Sequence, residues 1–68
     1  MARYYVNKRA QATGEHEVHR DGCSYLPAPE NRVYLGDFPD CHHAIEKARS
    51  MFGKSDGCYH CSYACHAA

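Results

Sequence analysis

The sequence predicts an α+β domain: a small antiparallel sheet of two to three strands packed on one α-helix, with a cysteine-rich knuckle at the C-terminal end. Three observations support this prediction. Segments rich in β-forming residues fill the first half of the chain, one amphipathic helical pattern follows them, and five cysteines and six histidines occur in 68 residues. A chain of this length forms a single domain, which we take to span residues 1–68.

Three segments have the composition of strands. They read RYYVN at residues 3–7, EHEVHR at 15–20 and NRVYLG at 31–36. In the second segment, alternation of side chains would place His16 and Val18 on one face and His19 on the other. An Asp-Gly turn signal follows at residues 21–22, and two prolines make 25–31 an extended loop. The two resulting hairpins predict an antiparallel meander.

A helical period begins after the third strand, in the segment DCHHAIEKARSMFG. Asp40 is a favourable N-cap, and Gly53 is a natural position for the helix to stop. The intervening apolar residues recur at helical spacing and form one stripe, made of Cys41, Ala44, Ile45, Ala48 and Phe52. This stripe predicts the face that packs on the sheet. The next segment, KSDG at residues 54–57, has the composition of a turn.

The composition limits how the domain is stabilised. The chain has no Trp and only two Phe, and six Tyr supply much of its apolar surface. A domain of this size buries roughly 60% of its unfolded surface, so hydrophobic burial alone leaves it marginal. We therefore expect a covalent or metal crosslink, or a partner chain.

The charge balance and the lack of targeting signals argue against several classes of protein. The formal net charge is zero, with the eight basic and eight acidic residues interspersed, so the net charge does not support nucleic-acid binding. The N-terminal segment MARYYVNKRAQ has no apolar run of signal-peptide length, and no segment is long and apolar enough for a membrane span. These features and the odd cysteine count predict a cytoplasmic protein with reduced thiols. The partner, expected to be a protein, is not identified.

Two pairs of candidate metal ligands flank short turns. His19-x-x-x-Cys23 surrounds the Asp-Gly turn, and Cys58-x-x-Cys61 follows a glycine near the C-terminus. Zinc takes four such ligands in a tetrahedron, through cysteine sulfur and histidine nitrogen. A site made of His19, Cys23, Cys58 and Cys61 would tie the two ends of the domain together.

The ligand set has alternatives. Cys65 or His66 could replace His19, because both lie one short turn after Cys61. Cys41 leads the apolar stripe of the helix, so packing as a small buried residue is its simplest role. Cys65 is open to three roles: core residue, spare ligand, or disulfide partner of Cys41, the last of which requires an oxidising setting.

The remaining aromatic and histidine residues have simpler interpretations. We assign His42 and His43 to the surface, with His43 close to the first turn of the helix. His60 lies inside the knuckle and is expected to point outward. Tyr59 and Tyr63 could form an exposed aromatic contact patch or complete the core, and of these two roles we favour the core.

A redox role for the Cys-x-x-Cys motif has less support. Catalytic motifs of this kind sit at a helix N-terminus after a strand, which lowers the pKa of the first thiol. Here the motif follows a helix, a turn and a glycine, without a βαβ pattern around it.

The segments HEVHRDGC, LGDFPDCHHAIEKAR and DGCYHCSYACH together resemble the small zinc domain at the front of the Ada DNA-repair protein. The resemblance covers the chain from about His16 to His66 and implies a mixed α/β fold with one structural zinc. It places the metal ligands at the two predicted pairs. In Ada all four ligands are cysteines, and one of them accepts a methyl group from a DNA phosphotriester. Here a histidine stands at the first ligand position and the arginine-rich DNA-facing surface is missing, so we do not carry over the methyl transfer.

The sequence therefore predicts a non-enzymatic, zinc-stapled interaction module with no catalytic residues. One alternative is an enzyme that performs alkyl transfer or redox chemistry at zinc-bound thiolates. Another is a DNA- or RNA-binding module that uses the scattered basic residues Arg3, Lys8, Arg9, Arg20 and Arg32.

Overall fold

A computed structural model, which describes residues 1–67, has a four-stranded sheet and one α-helix packed on one of its faces. The strands are β1 (Ala2–Asn7), β2 (His16–Arg20), β3 (Arg32–Phe38) and β4 (Ser55–Gly57), and the helix is α1 (Cys41–Phe52). Short 3-10 turns cover Pro29–Asn31 and Tyr63–Cys65. The predicted α+β class is confirmed.

The sheet differs from the predicted meander in its order and in its strand number. The order is β3-β1-β2-β4, with β1 antiparallel to both neighbours and β2 parallel to β4. The long proline-containing loop carries the chain from β2 past β1, so that β3 pairs with the free edge of β1. This puts Tyr4 and Val6, both buried, in a central strand of the sheet.

Strand β4 occupies residues that the sequence predicts as a turn. Its three residues, Ser-Asp-Gly, have low strand propensity, and backbone pairing to β2 holds them in place. The His16 N–H donates to the Lys54 carbonyl at 3.1 Å, and the Cys58 N–H donates to the Val18 carbonyl at 2.9 Å. The sheet is therefore mixed, and its fourth strand leads directly into the cysteine-rich tail.

Helix α1 has the predicted ends and the predicted buried face. An Asp40 side-chain oxygen accepts a hydrogen bond from the His43 N–H at 3.2 Å, and Gly53 ends the helix with a φ of 82°. The buried core consists of residues from the helix and from three strands: Tyr4, Val6, Val18, Leu35, Cys41, Ala44, Ile45 and Ala48. The His16 ring stacks on Phe52 at 4.2 Å between ring centroids, which places His16 on the helix face of the sheet.

A disulfide closes the C-terminal tail onto the helix. Cys41, the first residue of α1, is bonded to Cys65 in the last 3-10 turn. This is one of the three roles that the sequence left open for Cys65. It differs from the expectation that the thiols are reduced, and it adds a covalent crosslink to a small core. Among the residues described, no helix is long and apolar enough to cross a membrane.

Candidate metal centre

Four side chains from the two ends of the fold meet at one place beside β2. They are His19, Cys23, Cys58 and Cys61, and one ligand atom from each lies within 4.8 Å of all the others. His19 and Cys58 are buried, whereas Cys23 and Cys61 are partly exposed. The arrangement could hold a metal ion, and it uses the two pairs that the sequence spacing predicts.

The distances between the ligand atoms suit a tetrahedrally coordinated ion. Four ligands about 2.3 Å from a central zinc are about 3.8 Å from one another. The Cys23 and Cys58 sulfurs are 3.9 Å apart, and the Cys61 sulfur is 3.9 Å from His19 Nδ1. These spacings match the coordination of one ion by three cysteine sulfurs and one histidine nitrogen.

The first pair is positioned by the end of β2 and the turn that follows. Val18 points into the core, so strand alternation sends His19 to the opposite face of the sheet. The Cys23 N–H donates to the Arg20 carbonyl at 3.1 Å and closes the turn, and Gly22 within it has a φ of 90°. The turn brings the Cys23 sulfur back alongside His19.

The second pair lies on a knuckle that begins directly after β4. The Ser62 N–H donates to the Cys58 carbonyl at 2.8 Å, which curls the segment between Cys58 and Cys61. The Arg20 N–H donates to the Cys61 sulfur at 3.2 Å, so a backbone dipole already points at one thiolate position. The hydrogen bond from the Arg20 N–H to the Cys61 sulfur thus links the knuckle to the end of β2.

Burial keeps the histidine in the form that binds metal. Desolvation by burial lowers the pKa of His19, although the nearby Glu17 carboxylate opposes this shift. The ring is therefore neutral at pH 7 and retains a lone pair. Its Nε2 lies 3.6 Å from Glu17 Oε1 while its Nδ1 faces Cys61, so Glu17 is placed to orient the ring.

The Cys61 thiol of the metal-free cluster holds its proton. Burial raises the pKa of Cys61 to about 12, and the neighbouring Cys23 and Cys58 thiols add to this effect, while the Arg20 N–H opposes it. Three closely spaced thiolates without a cation would repel one another. A divalent cation removes that conflict by replacing the thiol protons.

The alternative ligands lie elsewhere. Cys65 is bonded to Cys41, and the His66 Nδ1–H donates to the Gly57 carbonyl at 3.0 Å, beside the Asp56 carboxylate at 3.2 Å. His60 is exposed and stacks on Tyr25 at 4.0 Å between ring centroids.

Two tyrosines of the knuckle lie outside the core, which differs from the role that we favoured from the sequence. Tyr59 is 55% exposed and Tyr63 is 66% exposed, and their rings meet edge to face at 5.1 Å. Tyr59 also packs edge to face on His60 and His66. With Tyr25, these residues form an aromatic surface that surrounds the knuckle. The four-residue spacing of Tyr59 and Tyr63 indicates that the two rings lie close together. It does not indicate whether they face the core or the solvent.

Comparison with known protein families, with curated proteins and with solved structures finds no match.

Proposed function

We propose that this protein is a non-enzymatic interaction module stapled by one structural zinc, with His19, Cys23, Cys58 and Cys61 as ligands. The observation that carries the proposal is the convergence of these four side chains at tetrahedral spacing. Three sulfurs and one imidazole nitrogen favour zinc over calcium or magnesium, which prefer oxygen ligands. The proposal includes kinship with the Ada-type zinc domain, for which the support is the spacing of the ligand and helix segments.

The energy of such a site is large compared with the stability of a small domain. Stability of roughly 0.05–0.15 kcal/mol per residue amounts to about 3–10 kcal/mol for a chain of this length. Structural zinc contributes an apparent 10–16 kcal/mol or so at neutral pH. The ion would therefore decide whether the turn after β2 and the C-terminal knuckle stay together.

Hydrogen bonding and burial of the sulfurs support a structural rather than a reactive centre. The Arg20 N–H donates to the Cys61 sulfur at 3.2 Å, and the Tyr25 N–H donates to the Cys23 sulfur at 3.4 Å. Such bonds draw electron density from a thiolate and weaken it as a nucleophile. Cys58 is only 2% exposed, so reagents in solution do not reach it.

The exposed aromatic surface around the knuckle supports the interaction role. Aromatic side chains with one polar tip are enriched where proteins contact one another. Three of the six large exposed apolar residues in the described part of the chain, Tyr25, Tyr59 and Tyr63, belong to this surface. The zinc would hold that surface in shape, because its ligands lie in the same turns as the tyrosines.

Native mass spectrometry tests the zinc assignment. We expect the protein with its disulfide intact to carry one zinc per chain, and His19→Ala to bind zinc much more weakly. His60→Ala is the matched control, because His60 lies in the knuckle outside the ligand cluster, and it should keep the zinc. A folded wild-type protein that carries no zinc after loading would refute the assignment.

Cysteine alkylation separates the module from a thiolate enzyme. We expect the zinc-loaded protein to react with a small alkylating agent slowly and at no preferred cysteine, as mapped by peptide mass spectrometry. A single cysteine that reacts much faster than the others would contradict the structural assignment and favour alkyl transfer.

A further inference from the structure

A second cluster of metal-binding side chains lies at the start of α1. The sulfurs of Cys41 and Cys65 and a ring nitrogen of His42 are all within 4.8 Å of one another. None of these residues belongs to the first cluster. Their two sulfurs are joined as a disulfide, which cannot act as a pair of thiolate ligands.

We propose that reduction of the Cys41–Cys65 disulfide turns this cluster into a second, redox-gated metal site for a thiophilic divalent cation such as Zn2+. Two thiolates and one imidazole would bind the ion, and the fourth position would be open to solvent or an oxygen ligand. The number of ions bound per chain would then depend on the redox state of this pair.

The fold holds both cysteines in place when the bond between them is broken. Cys41 is the first residue of α1 after its N-cap and is only 6% exposed. The segment around Cys65 is held by other contacts, because the Cys65 N–H donates to the Ser62 carbonyl at 2.9 Å and the Ala67 N–H donates to Asp56 Oδ1 at 2.9 Å. The sulfurs therefore need to separate only to the roughly 3.8 Å that two zinc ligands require.

The site is open to an incoming ion. A surface cavity of about 350 Å3 is lined by His42, Cys65 and Glu46 among other residues. The His42 side chain is 69% exposed, and its Nδ1 lies 3.9 Å from Asp40 Oδ1, so a carboxylate is already near the imidazole. Glu46, one helical turn after His42, lines the same cavity.

A dithiol is the reductant that opens the Cys41–Cys65 disulfide. The dithiol gives two electrons and two protons to the Cys41–Cys65 bond, which yields two thiols, and the dithiol itself becomes a disulfide. The cation then replaces the two thiol protons, which leave to solvent. Cys41 is the favoured leaving thiolate in the exchange, because it sits at the N-terminus of a 12-residue helix.

Counting bound ions in the two redox states tests the proposal. Protein is kept oxidised, or reduced with a dithiol that is then removed without air, loaded with Zn2+, and examined by native mass spectrometry. We expect one ion per oxidised chain and two per reduced chain. Titration with Co2+ should show an added sulfur-to-cobalt absorption for the second equivalent in the reduced protein only.

Variants assign the ligands of the second ion. In the reduced protein, His42→Gln should lower the affinity for the second zinc ion by at least about tenfold. His43→Gln changes an exposed neighbouring residue outside the cluster and should leave the affinity for the second ion unchanged. The double variant Cys41→Ser/Cys65→Ser should bind one ion in either redox state. If this variant fails to fold, the comparison of His42→Gln with His43→Gln tests the second site.

Two results would overturn the proposal: the same ion count in both redox states, or a second equivalent that His42→Gln binds with unchanged affinity. The oxidised protein reports on the first site independently. A count of zero in that state would refute the structural zinc, whereas a rise of one ion upon reduction would still support the second site.

Discussion

Replacing Gly57 with alanine tests whether the cysteine-rich tail lies against β4 as closely as the structure places it. A Cβ built on Gly57 would lie 2.5 Å from the Ser62 carbonyl oxygen, 2.7 Å from the Cys65 Cβ and 2.9 Å from the Cys65 carbonyl carbon. Two of these atoms are backbone, and the third belongs to a side chain held by the disulfide. None of them can rotate away, so the tail itself must move.

Two effects of opposite sign compete in Gly57→Ala. Alanine restricts the unfolded chain, which would stabilise the protein by about 0.4–1 kcal/mol at a position that accepts it. Overpacking in a closely packed site destabilises by about 1–3 kcal/mol. With three contacts under 3.0 Å, we expect overpacking in the upper half of its range, about 2–3 kcal/mol, and therefore a net loss of about 1–2.5 kcal/mol.

The same substitution should weaken zinc binding, because Cys58 is the next residue and moves with the tail. Each 1.4 kcal/mol or so of lost ligand alignment is a tenfold loss of affinity. Urea unfolding of the zinc-loaded protein and competition with a chromophoric chelator measure the two effects.

Gly53→Ala is the matched control for this experiment. Gly53 has a φ of 82° and nothing within 4 Å of a built Cβ, so alanine there costs about 1–2 kcal/mol through the backbone alone. It should leave zinc affinity unchanged. A Gly57→Ala protein as stable as wild type, with unaltered zinc affinity, would show that the tail does not lie where the structure has it.

Three further predictions concern the disulfide, the carboxylate beside the histidine ligand, and pH. Replacing both Cys41 and Cys65 with serine removes a crosslink between residues 24 apart and should lower the free energy of unfolding by about 3–4 kcal/mol in urea titrations; an unchanged midpoint would argue against the crosslink. Glu17→Gln should lower zinc affinity about 10–100-fold by releasing the imidazole, whereas the exposed Glu30→Gln should not; equal effects in a chelator competition would exclude the orienting role. Zinc affinity should rise with pH, because the Cys61 thiol, whose pKa burial raises to about 12, must give up its proton to the ion; a flat affinity between pH 6 and 8 would contradict thiolate ligation.

The sequence predicted the positions of the candidate ligands because the relevant signals are local. His19 and Cys23 flank an Asp-Gly turn, and Cys58 and Cys61 flank a second short turn after a glycine. Short-range spacing of this kind places two ligand atoms side by side when a tight turn lies between them. The helix was predicted for the same reason, since its cap residues and apolar stripe lie within one segment.

The features that the sequence did not predict depend on contacts between distant segments. Strand β4 is held by the backbone of β2 and has no strand-forming side chains of its own. The order of the sheet depends on which edge of β1 the third strand reaches after a long loop. Disulfide connectivity cannot be deduced from cysteine positions, so the bond between Cys41 and Cys65 remained one of several roles. The exposure of Tyr59 and Tyr63 follows from how the tail folds back on β4.

Removal of the metal while unfolding is monitored tests the central claim most directly. The zinc-loaded protein, with its disulfide intact, is treated with a strong chelator and followed by circular dichroism and by metal analysis of the same sample. The account predicts that about one zinc per chain leaves and that the cooperative unfolding transition is lost with it. A protein that contains no metal and still unfolds in one cooperative transition, with an unchanged spectrum, would contradict it.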